Sequence, residues 1–470
     1  MGTSGGAVIT ADYLVKGAGA VGMAFADQLF TDTDATIAIV DRHDRPGGHW
    51  NEAYPFVRLH QPAGYYGVSS TPLGTGAIDQ VGLNAGFFEL ASGQEVLAHF
   101  DTVLRHRLLP SGRVTFLSSS EVDDDGVVTS LLSGVRTRVE HRRFVDATHS
   151  GMQVPATTPP AYAIADGVTC VPVGRLPAVA AGFAHFTVVG AGKTGMDACV
   201  WLLEQGAAPE QIRWIMPRDS WLLRRANFQP GAEHFAAFAK SIADQVTCVV
   251  EAEGVDDLFL RLEAAGELSR IDPTVTPGAY HCAVLSDPEI ELLRRIGDVV
   301  RLGRVRAIHA DRLELERGTI DARADSCYID CSAAGIPTLP STPIFAGRRI
   351  TPQWMRTCQP TFSAAFIAHV EATFPDDDDR KNGVCRPIVP PTVPVDWLRM
   401  LRVQLDNRAA INATPELHAW QAETRLDAFW STARVRLGVD QAATAHLQRY
   451  AAHVGPARAR LEELLAGLGA

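Results

Sequence analysis

Residues 12–30, DYLVKGAGAVGMAFADQLF, decide the fold of the first part of the chain. A short apolar strand runs into a glycine-rich turn, and the apolar residues after the turn recur at helical spacing. Residues 35–41, ATIAIVD, then form a nearly continuous apolar run, which is typical of a strand buried in a parallel sheet. A strand, a turn, a helix and a second strand within about 30 residues predict a β-α-β unit.

The turn supplies three glycines in the pattern G-x-G-x-x-G, namely Gly17, Gly19 and Gly22. In a dinucleotide-binding fold they permit the tight turn, the approach of a pyrophosphate and the packing of helix on strand. The positive end of the helix then faces the phosphates. Asp41 follows Gly22 by 19 residues, where a carboxylate accepts hydrogen bonds from a ribose, and Arg42 is assigned to the same site. The N-terminal position of this unit favours FAD, although spacing alone does not separate FAD from NAD.

Residues 188–199, VVGAGKTGMDAC, contain Gly-Lys-Thr, which also ends the phosphate-binding loop of nucleotide hydrolases. That loop requires G-x-x-x-x-G-K-[ST], and Thr187 stands where its first glycine is needed. The stretch is therefore interpreted as a second dinucleotide turn. Its predicted cofactor contacts are Gly190, Gly192, Lys193, Thr194 and Gly195.

The strand predicted after this second turn, residues 211–219, carries no acidic ribose clamp at its tip. Arg218 takes that place, 23 residues past Gly195, and an arginine there suits the 2′-phosphate of NADP. Arg224 and Arg225 are further candidates for the same phosphate. The pattern favours NADPH over NADH and leaves NADH open.

The segment after Asp41 carries a double glycine, an aromatic residue and a basic residue in close succession. The pair ending at Gly48 lets the backbone pass close to a diphosphate. Trp50 is suited to cover an aromatic ring system, and Arg58 to pair with phosphate or to anchor the loop. The alternatives are a core role for Trp50 and a structural salt bridge for Arg58.

Gly-Gly-x-Trp followed by Tyr-Pro-x-x-Arg, in residues 47–58, is similar to the segment that wraps FAD in the flavin-containing and Baeyer–Villiger monooxygenase superfamily. The resemblance covers about residues 10–360. It implies that one dinucleotide-binding fold holds FAD and that a second, inserted in the first, holds NADPH. Leu59 and His60 stand where Baeyer–Villiger enzymes carry an acidic residue, which places the chain in a divergent branch.

The resemblance also implies the chemistry. NADPH would reduce FAD, and a C4a-(hydro)peroxyflavin formed with O2 would oxygenate a small molecule at nitrogen, sulfur or carbon. His60 and Gln61 directly follow Arg58 and are the candidate catalytic residues near the flavin. Flavoprotein architecture further predicts that Gln359 precedes a helix, capped by Ser363, whose N-terminus points at the flavin C2 carbonyl.

These patterns predict an α/β protein with two Rossmann-like dinucleotide-binding domains, a helical insertion and a helical C-terminal tail. The FAD-binding domain is expected in two parts, 1–155 and 326–394. The NADPH-binding domain is expected at 156–325, with mostly helical residues at about 230–300, and the tail or cap at 395–470. The segment FPDDDDRKNG, residues 374–383, is interpreted as an exposed charged loop.

Composition narrows the partners. The 470 residues carry 43 basic and 54 acidic side chains, and the net charge of −11 argues against nucleic acid or an anionic membrane as the main partner. No apolar run reaches the length of a membrane span, and the eight cysteines form no C-x-x-C, so neither a metal site nor a dithiol centre is predicted. Scattered thiols fit a reducing cytoplasm, and a homo-oligomer is left open.

Two other functions fit the same two sites. One is an NAD(P)H-dependent flavoprotein reductase or dehydrogenase that inserts no oxygen. The other, less favoured because hydride relay explains both sites, is a non-catalytic flavin-binding redox sensor.

Overall fold

Two sheets with parallel central strands carry the two glycine turns in the computed structural model, which describes residues 8–468. The strands found there are β1 (Val8–Lys16), β2 (Ile37–Val40), β3 (Val114–Leu117), β4 (Ser120–Val122), β5 (Val127–Ser130), β6 (Arg136–Asp146), β7 (Ala163–Ile164), β8 (Cys170–Pro172), β9 (His185–Val189), β10 (Ile212–Ile215), β11 (Ser220–Arg224), β12 (Leu268–Ser269), β13 (Ala279–Leu285), β14 (Asp298–Val300), β15 (Val305–Ile308), β16 (Arg312–Leu315), β17 (Gly318–Asp321), β18 (Ser326–Asp330), β19 (Phe345–Ala346) and β20 (Arg349–Ile350). The helices are α1 (Ala20–Asp32), α2 (Gly93–Val103), α3 (Leu176–Val179), α4 (Lys193–Glu204), α5 (Phe235–Glu251), α6 (Val255–Ala264), α7 (Asp287–Leu293), α8 (Pro360–Thr373), α9 (Asp378–Val384), α10 (Pro394–Asn412), α11 (Pro415–Glu423), α12 (Ala428–Arg436) and α13 (Gln441–Ala466).

The first sheet contains the β-α-β unit predicted from residues 12–41. Its main path runs β19-β20-β6-β1-β2-β3, with β4 and β5 as a hairpin on its flank. Strand β1 pairs in parallel with β2 on one side and with β6 on the other. The apolar faces of α1 and α8 are buried in the same core as β1 and β2, which explains the nearly unbroken hydrophobic sequence of these elements. The α/β fold class is confirmed.

The second sheet is wholly parallel, in the order β14-β10-β9-β18-β8. It places the second glycine turn between β9 and α4, as expected. Strand β18 pairs with β9 in this sheet, so the predicted boundary at residue 326 is wrong, because it assigns β18 to the FAD-binding part. The other predicted boundaries stay predictions.

The insertion is helical at α5, α6 and α7, but it is less helical than its sequence predicts. Strand β13 interrupts it and pairs in parallel with β11, while β12 pairs with β11 on the other edge. Six of the seven residues of β13 are buried, which favours a strand over another surface helix. The predicted helical tail forms α10 to α13, and α10 and α13 share a hydrophobic core with α5, α6 and β13.

Residues 374–383 do not form the exposed loop that was predicted. Seven residues from Asp378 to Val384 form the helix α9, and Asp377 caps it by accepting a hydrogen bond from the Arg380 amide. Lys381 is fully buried and pairs with Glu371 of α8 at 2.6 Å. Besides its four acidic residues, this segment therefore contains one buried lysine, Lys381, which attaches it to the core.

Glu267, which precedes β12, is a buried carboxyl group with an unusual acidity. Its Oε2 accepts hydrogen bonds from Ser241 at 2.5 Å and from Gln245 at 3.0 Å. Burial outweighs these bonds and raises the pKa of Glu267 to about 7. The folded state therefore holds this proton more tightly than the unfolded chain does, and the associated stability is present at pH 4 and lost as the pH rises to about 7.

We expect Glu267→Gln to reduce this pH dependence. Melting temperatures measured at pH 5 and at pH 8 should fall less between the two values in the variant than in the wild type. Glu204→Gln, which alters an exposed carboxyl group of α4, is the matched control. A fall in Glu267→Gln as large as in the wild type would show that this carboxyl group is not the titrating one.

None of the helices in the described part of the chain is long and apolar enough to cross a membrane.

Candidate dinucleotide-binding sites

The first glycine turn has the geometry that G-x-G-x-x-G predicts. Gly17 adopts φ +97°, which favours glycine. A Cβ atom on Gly22 would lie 1.9 Å from the carbonyl oxygen of Gly17, so the helix can approach the strand only with glycine at this position. Gly19 is the N-cap residue of α1, and the first turn of α1 carries no acidic side chain. The amide groups at the start of α1 therefore remain available to a bound anion.

The double-glycine segment lies directly on this turn. The amide of Gly47 donates to the carbonyl oxygen of Ala18 at 2.9 Å. A Cβ atom on Gly48 would lie 2.9 Å from the Cα of Gly19, and Gly48 adopts φ +55°. Two glycine backbones thus meet at one end of α1, as a site that wraps a diphosphate requires.

Asp41 is buried at the end of β2 and supports the same turn. One of its carboxylate oxygens accepts a hydrogen bond from the Ala18 amide at 2.6 Å, and the other contacts Nδ1 of His43 at 2.8 Å. Nε2 of His43 in turn contacts Glu52 at 2.5 Å. His43 and Glu52 were missed in the sequence, because no spacing rule links them to Asp41. Arg42 lies on the surface.

Trp50 and Arg58 stabilise residues 47–58, which we call the wrapping segment. The indole N–H of Trp50 donates to the hydroxyl of Tyr66 at 2.8 Å, and Trp50 is 9% exposed within the main core. The Arg58 guanidinium donates to the carbonyl oxygen of Leu90 at 3.0 Å. These contacts favour a core role for Trp50 and a structural role for Arg58, and the cofactor roles of both side chains stay predictions.

His60 and Gln61, which follow the wrapping segment, connect it to β13 and to the loop before α8. Nδ1 of His60 accepts a hydrogen bond from the Val284 amide of β13 at 3.1 Å, which fixes the ring proton on Nε2. Burial, with the charges of Lys193 and Arg225, lowers the pKa of His60 to about 3. His60 is therefore neutral at pH 7, and its role as a catalytic residue stays a prediction. The Gln61 amide donates to the carbonyl oxygen of Cys358 at 3.3 Å.

The second glycine turn repeats the geometry of the first. Gly190 adopts φ +128°, and a Cβ atom there would lie 2.4 Å from the carbonyl oxygen of Cys331. A Cβ atom on Gly195 would lie 2.2 Å from the carbonyl oxygen of Gly190. Gly192 caps α4, and no atom lies within 4 Å of the position its Cβ would take. The space over Gly192 is open for a ligand at the helix N-terminus.

The side chains of Lys193 and Thr194 have partners within the protein. Lys193 forms an ion pair with Asp197 one turn later in α4. Tyr54 of the wrapping segment donates to Asp197 at 2.5 Å and also contacts the Thr194 hydroxyl. Tyr54 and Asp197 therefore join the first dinucleotide-binding fold to the second turn. The sequence carried no signal for this pairing, because 143 residues separate the two.

The three arginines assigned to the second site differ in their surroundings. Arg218 is exposed, three residues after the end of β10, with His281 nearby. Arg224 forms an ion pair with Asp287 at the start of α7, which speaks against a phosphate contact. Arg225 is 1% exposed and pairs with Glu289 at 2.6 Å. Of these three arginines, Arg218 is thus the one with an exposed side chain just after the end of β10.

Gln359 is the N-cap residue of α8, as predicted, but Ser363 does not cap the helix. The hydroxyl of Ser363 lies inside the first turn, where it donates to the Gln359 carbonyl oxygen at 2.8 Å and accepts from the Met355 amide at 3.1 Å. The start of α8 borders a mainly apolar cleft that is partly open to solvent. Val21 of α1 and the segments after β6 and β18 line the same cleft.

Two glycine turns on two mainly parallel sheets, connected by a wrapping segment, form a fold that this chain shares with the solved structure of a monooxygenase. A solved structure of oxidized steroid monooxygenase bound to NADP is similar over 96% of this chain and 98% of that chain, with a TM-score of 0.52 and 15% identity.

The chain belongs to the same family as two mycobacterial proteins. They are "Uncharacterized protein Rv2000" of Mycobacterium tuberculosis and "Uncharacterized protein Mb2023" of Mycobacterium bovis. Each is 46% identical over 419 residues, which cover 89% of this chain and 78% of the relative. No protein-family model matches the chain.

Proposed function

We propose that the protein is an FAD-dependent, NADPH-using monooxygenase that oxygenates a small molecule at nitrogen, sulfur or carbon with O2. One observation carries the proposal. Two helices, α1 and α4, begin at glycine turns that a Cβ atom would disrupt, and both N-termini lack a side-chain cap. Two dinucleotide-binding sites in one chain suit the transfer of a hydride from one cofactor to the other.

The donors present fit both cofactors. For FAD, the cradle consists of the Gly17–Gly22 turn, the Gly48 backbone and the amides at the start of α1. For NADPH, it consists of the Gly190–Gly195 turn, the open space over Gly192 and the exposed Arg218. When bound, the flavin would accept a hydride from NADPH and activate O2 for transfer to the substrate.

The protein's own groups supply binding and exclusion of water. The amides at the start of α8 would stabilise negative charge on an adjacent ring system, since Gln359 offers no side-chain cap to them. The apolar cleft beside α8 would keep water from the reacting atoms. His60, held neutral, offers a hydrogen-bond donor at Nε2 and no positive charge.

The test is made on the purified protein loaded with FAD. NADPH is added without oxygen, oxygen labelled with ¹⁸O is then admitted, and candidate substrates are screened by mass. Bleaching of the flavin spectrum by NADPH and a product that carries one labelled oxygen atom would support the proposal. Bleaching followed only by peroxide release would favour the reductase or dehydrogenase, and no bleaching would exclude both enzymes.

We expect Arg218→Ala to lower the preference for NADPH over NADH. Loss of one charge-assisted contact to the 2′-phosphate costs about 1.5–3 kcal/mol, or about 10- to 150-fold in affinity. The measurement is flavin reduction at varied concentrations of both nucleotides. The affinity for NADH should stay within about twofold, because NADH has no 2′-phosphate.

Arg224→Ala is the matched control, since the Arg224 guanidinium is already paired with Asp287. It should leave the ratio of the two affinities unchanged. Equal losses for NADPH and NADH in Arg218→Ala would contradict the assignment of Arg218.

A further inference from the structure

Two cysteines far apart in sequence meet between the insertion and the loop before α8. Cys282 lies in β13 and Cys358 directly precedes Gln359, so 76 residues separate them. Both pack against the same hydrophobic core. The two thiols lie near each other, and burial together with the nearby Cys282 raises the pKa of Cys358.

The backbone at both cysteines is strained. Cys282 adopts φ +53° and Cys358 adopts φ +55°, in the left-handed region that side chains other than glycine rarely enter. Among residues 8–468 only four non-glycine residues have positive φ, and the contacting cysteines are two of them. Such strain is concentrated at functional sites. A packing role alone would not require it, since many other residues fill cores without this conformation.

The two thiols differ in access. Cys282 is 6% exposed, whereas the residue Cys358 is only partly buried, so Cys358 is the nearer of the two to solvent. We infer that Cys282 and Cys358 form a redox-active dithiol that hydrogen peroxide converts to a disulfide. The inference does not depend on the proposed monooxygenase function.

The reaction proceeds in two balanced steps. The sulfur of Cys358 attacks one peroxide oxygen, the O–O bond breaks, and the departing hydroxide takes the thiol proton and leaves as water. The sulfur of Cys282 then attacks the sulfenic sulfur of Cys358, the S–S bond forms, the S–O bond breaks, and the hydroxyl leaves with the Cys282 proton as a second water. Two electrons pass from the two thiols to one peroxide. Because burial raises the pKa of Cys358, the first step is expected to be slow at neutral pH.

The disulfide would connect the insertion to the start of α8. Cys358 is followed at once by the N-cap residue of that helix, and its carbonyl oxygen accepts the hydrogen bond from Gln61. Cross-linking therefore restricts the loop that borders the apolar cleft. It should also raise the melting temperature, because it closes a loop in the unfolded chain.

Tryptic digestion tests the inference directly on the full chain. Residues 271–294 and 357–380 are tryptic peptides that contain Cys282 and Cys358 as their single cysteines. The wild-type protein is treated with hydrogen peroxide, alkylated after denaturation and digested. We expect a cross-linked pair two hydrogens lighter than the sum of the peptides, and its loss after treatment with dithiothreitol.

Three variants establish which thiols form the cross-link. Cys282→Ser and Cys358→Ser should each abolish the cross-linked pair, and Cys385→Ala, which removes a buried thiol elsewhere, should leave it unchanged. The wild-type result stands by itself if a variant fails to fold. Recovery of both peptides as separate alkylated or over-oxidised species from folded wild-type protein would overturn the inference, as would a pairing of either cysteine with a different one.

Discussion

Replacing Gly192 with alanine is expected to abolish tight binding of the nicotinamide cofactor without destabilising the protein. The added methyl group meets no protein atom within 4 Å and so has room in the free protein. Gly192 has φ −77° and ψ 178°, which alanine also adopts, so the free energy of unfolding should change by less than about 1 kcal/mol. A pyrophosphate at the start of α4 would have to occupy the space that the methyl group takes. Displacement of the ligand should weaken NADPH binding by about 100-fold or more, which corresponds to about 2.8 kcal/mol.

Two other glycines separate the loss of binding from a loss of structure. Gly195→Ala should impair binding and stability together, because its methyl group would lie 2.2 Å from the carbonyl oxygen of Gly190. Gly278→Ala, which also adds a methyl group in open space but away from the turn, should change neither. Binding is measured by fluorescence titration with NADPH and stability by thermal melting. Unchanged NADPH affinity in Gly192→Ala would remove the second dinucleotide-binding site from the proposal.

The local parts of this architecture could be predicted from the sequence because they depend on neighbouring residues. The turns at Gly17–Gly22 and Gly190–Gly195 follow from spacing, and Thr187 excludes a hydrolase loop without any knowledge of the fold. The structure confirms the strand and helix on either side of each turn.

The contacts between the turns could not be predicted in this way. Tyr54 reaches Asp197 across 143 residues, and the absence of C-x-x-C says nothing about Cys282 and Cys358, which meet only in the folded chain. The sequence of residues 230–300 predicted mostly helix, but β13 forms a buried parallel strand within this insertion. In each case the interaction that decides the structure joins residues distant in sequence, so local spacing cannot predict it.

A buried ionic cluster behind the first sheet is expected to contribute more to stability than any surface ion pair of the protein. Lys381 and Glu371 are both fully buried, with their charged atoms 2.6 Å apart. The other carboxylate oxygen of Glu371 contacts Arg143 at 3.1 Å and accepts a hydrogen bond from Tyr13 at 2.9 Å. Burial of the phenol raises the pKa of Tyr13, and the negative charge of Glu371 raises it further. The hydroxyl of Tyr13 therefore stays protonated and donates at neutral pH. The cluster joins β1, β6, α8 and α9.

Lys381→Met keeps the volume of the side chain but leaves Glu371 buried with one cation fewer. Breaking a buried pair from one side costs about 3–5 kcal/mol, so unfolding by urea should show a loss of that size. Lys240→Met removes a lysine that is half exposed and pairs with Asp244 on the next turn of α5, and it should cost less than about 1 kcal/mol. The double variant Lys381→Met/Glu371→Leu should regain only part of the loss, since it removes the buried carboxylate but also takes a partner from Arg143 and Tyr13. If Lys381→Met and Lys240→Met lowered the free energy of unfolding equally, the buried pair would contribute no more to stability than the surface pair.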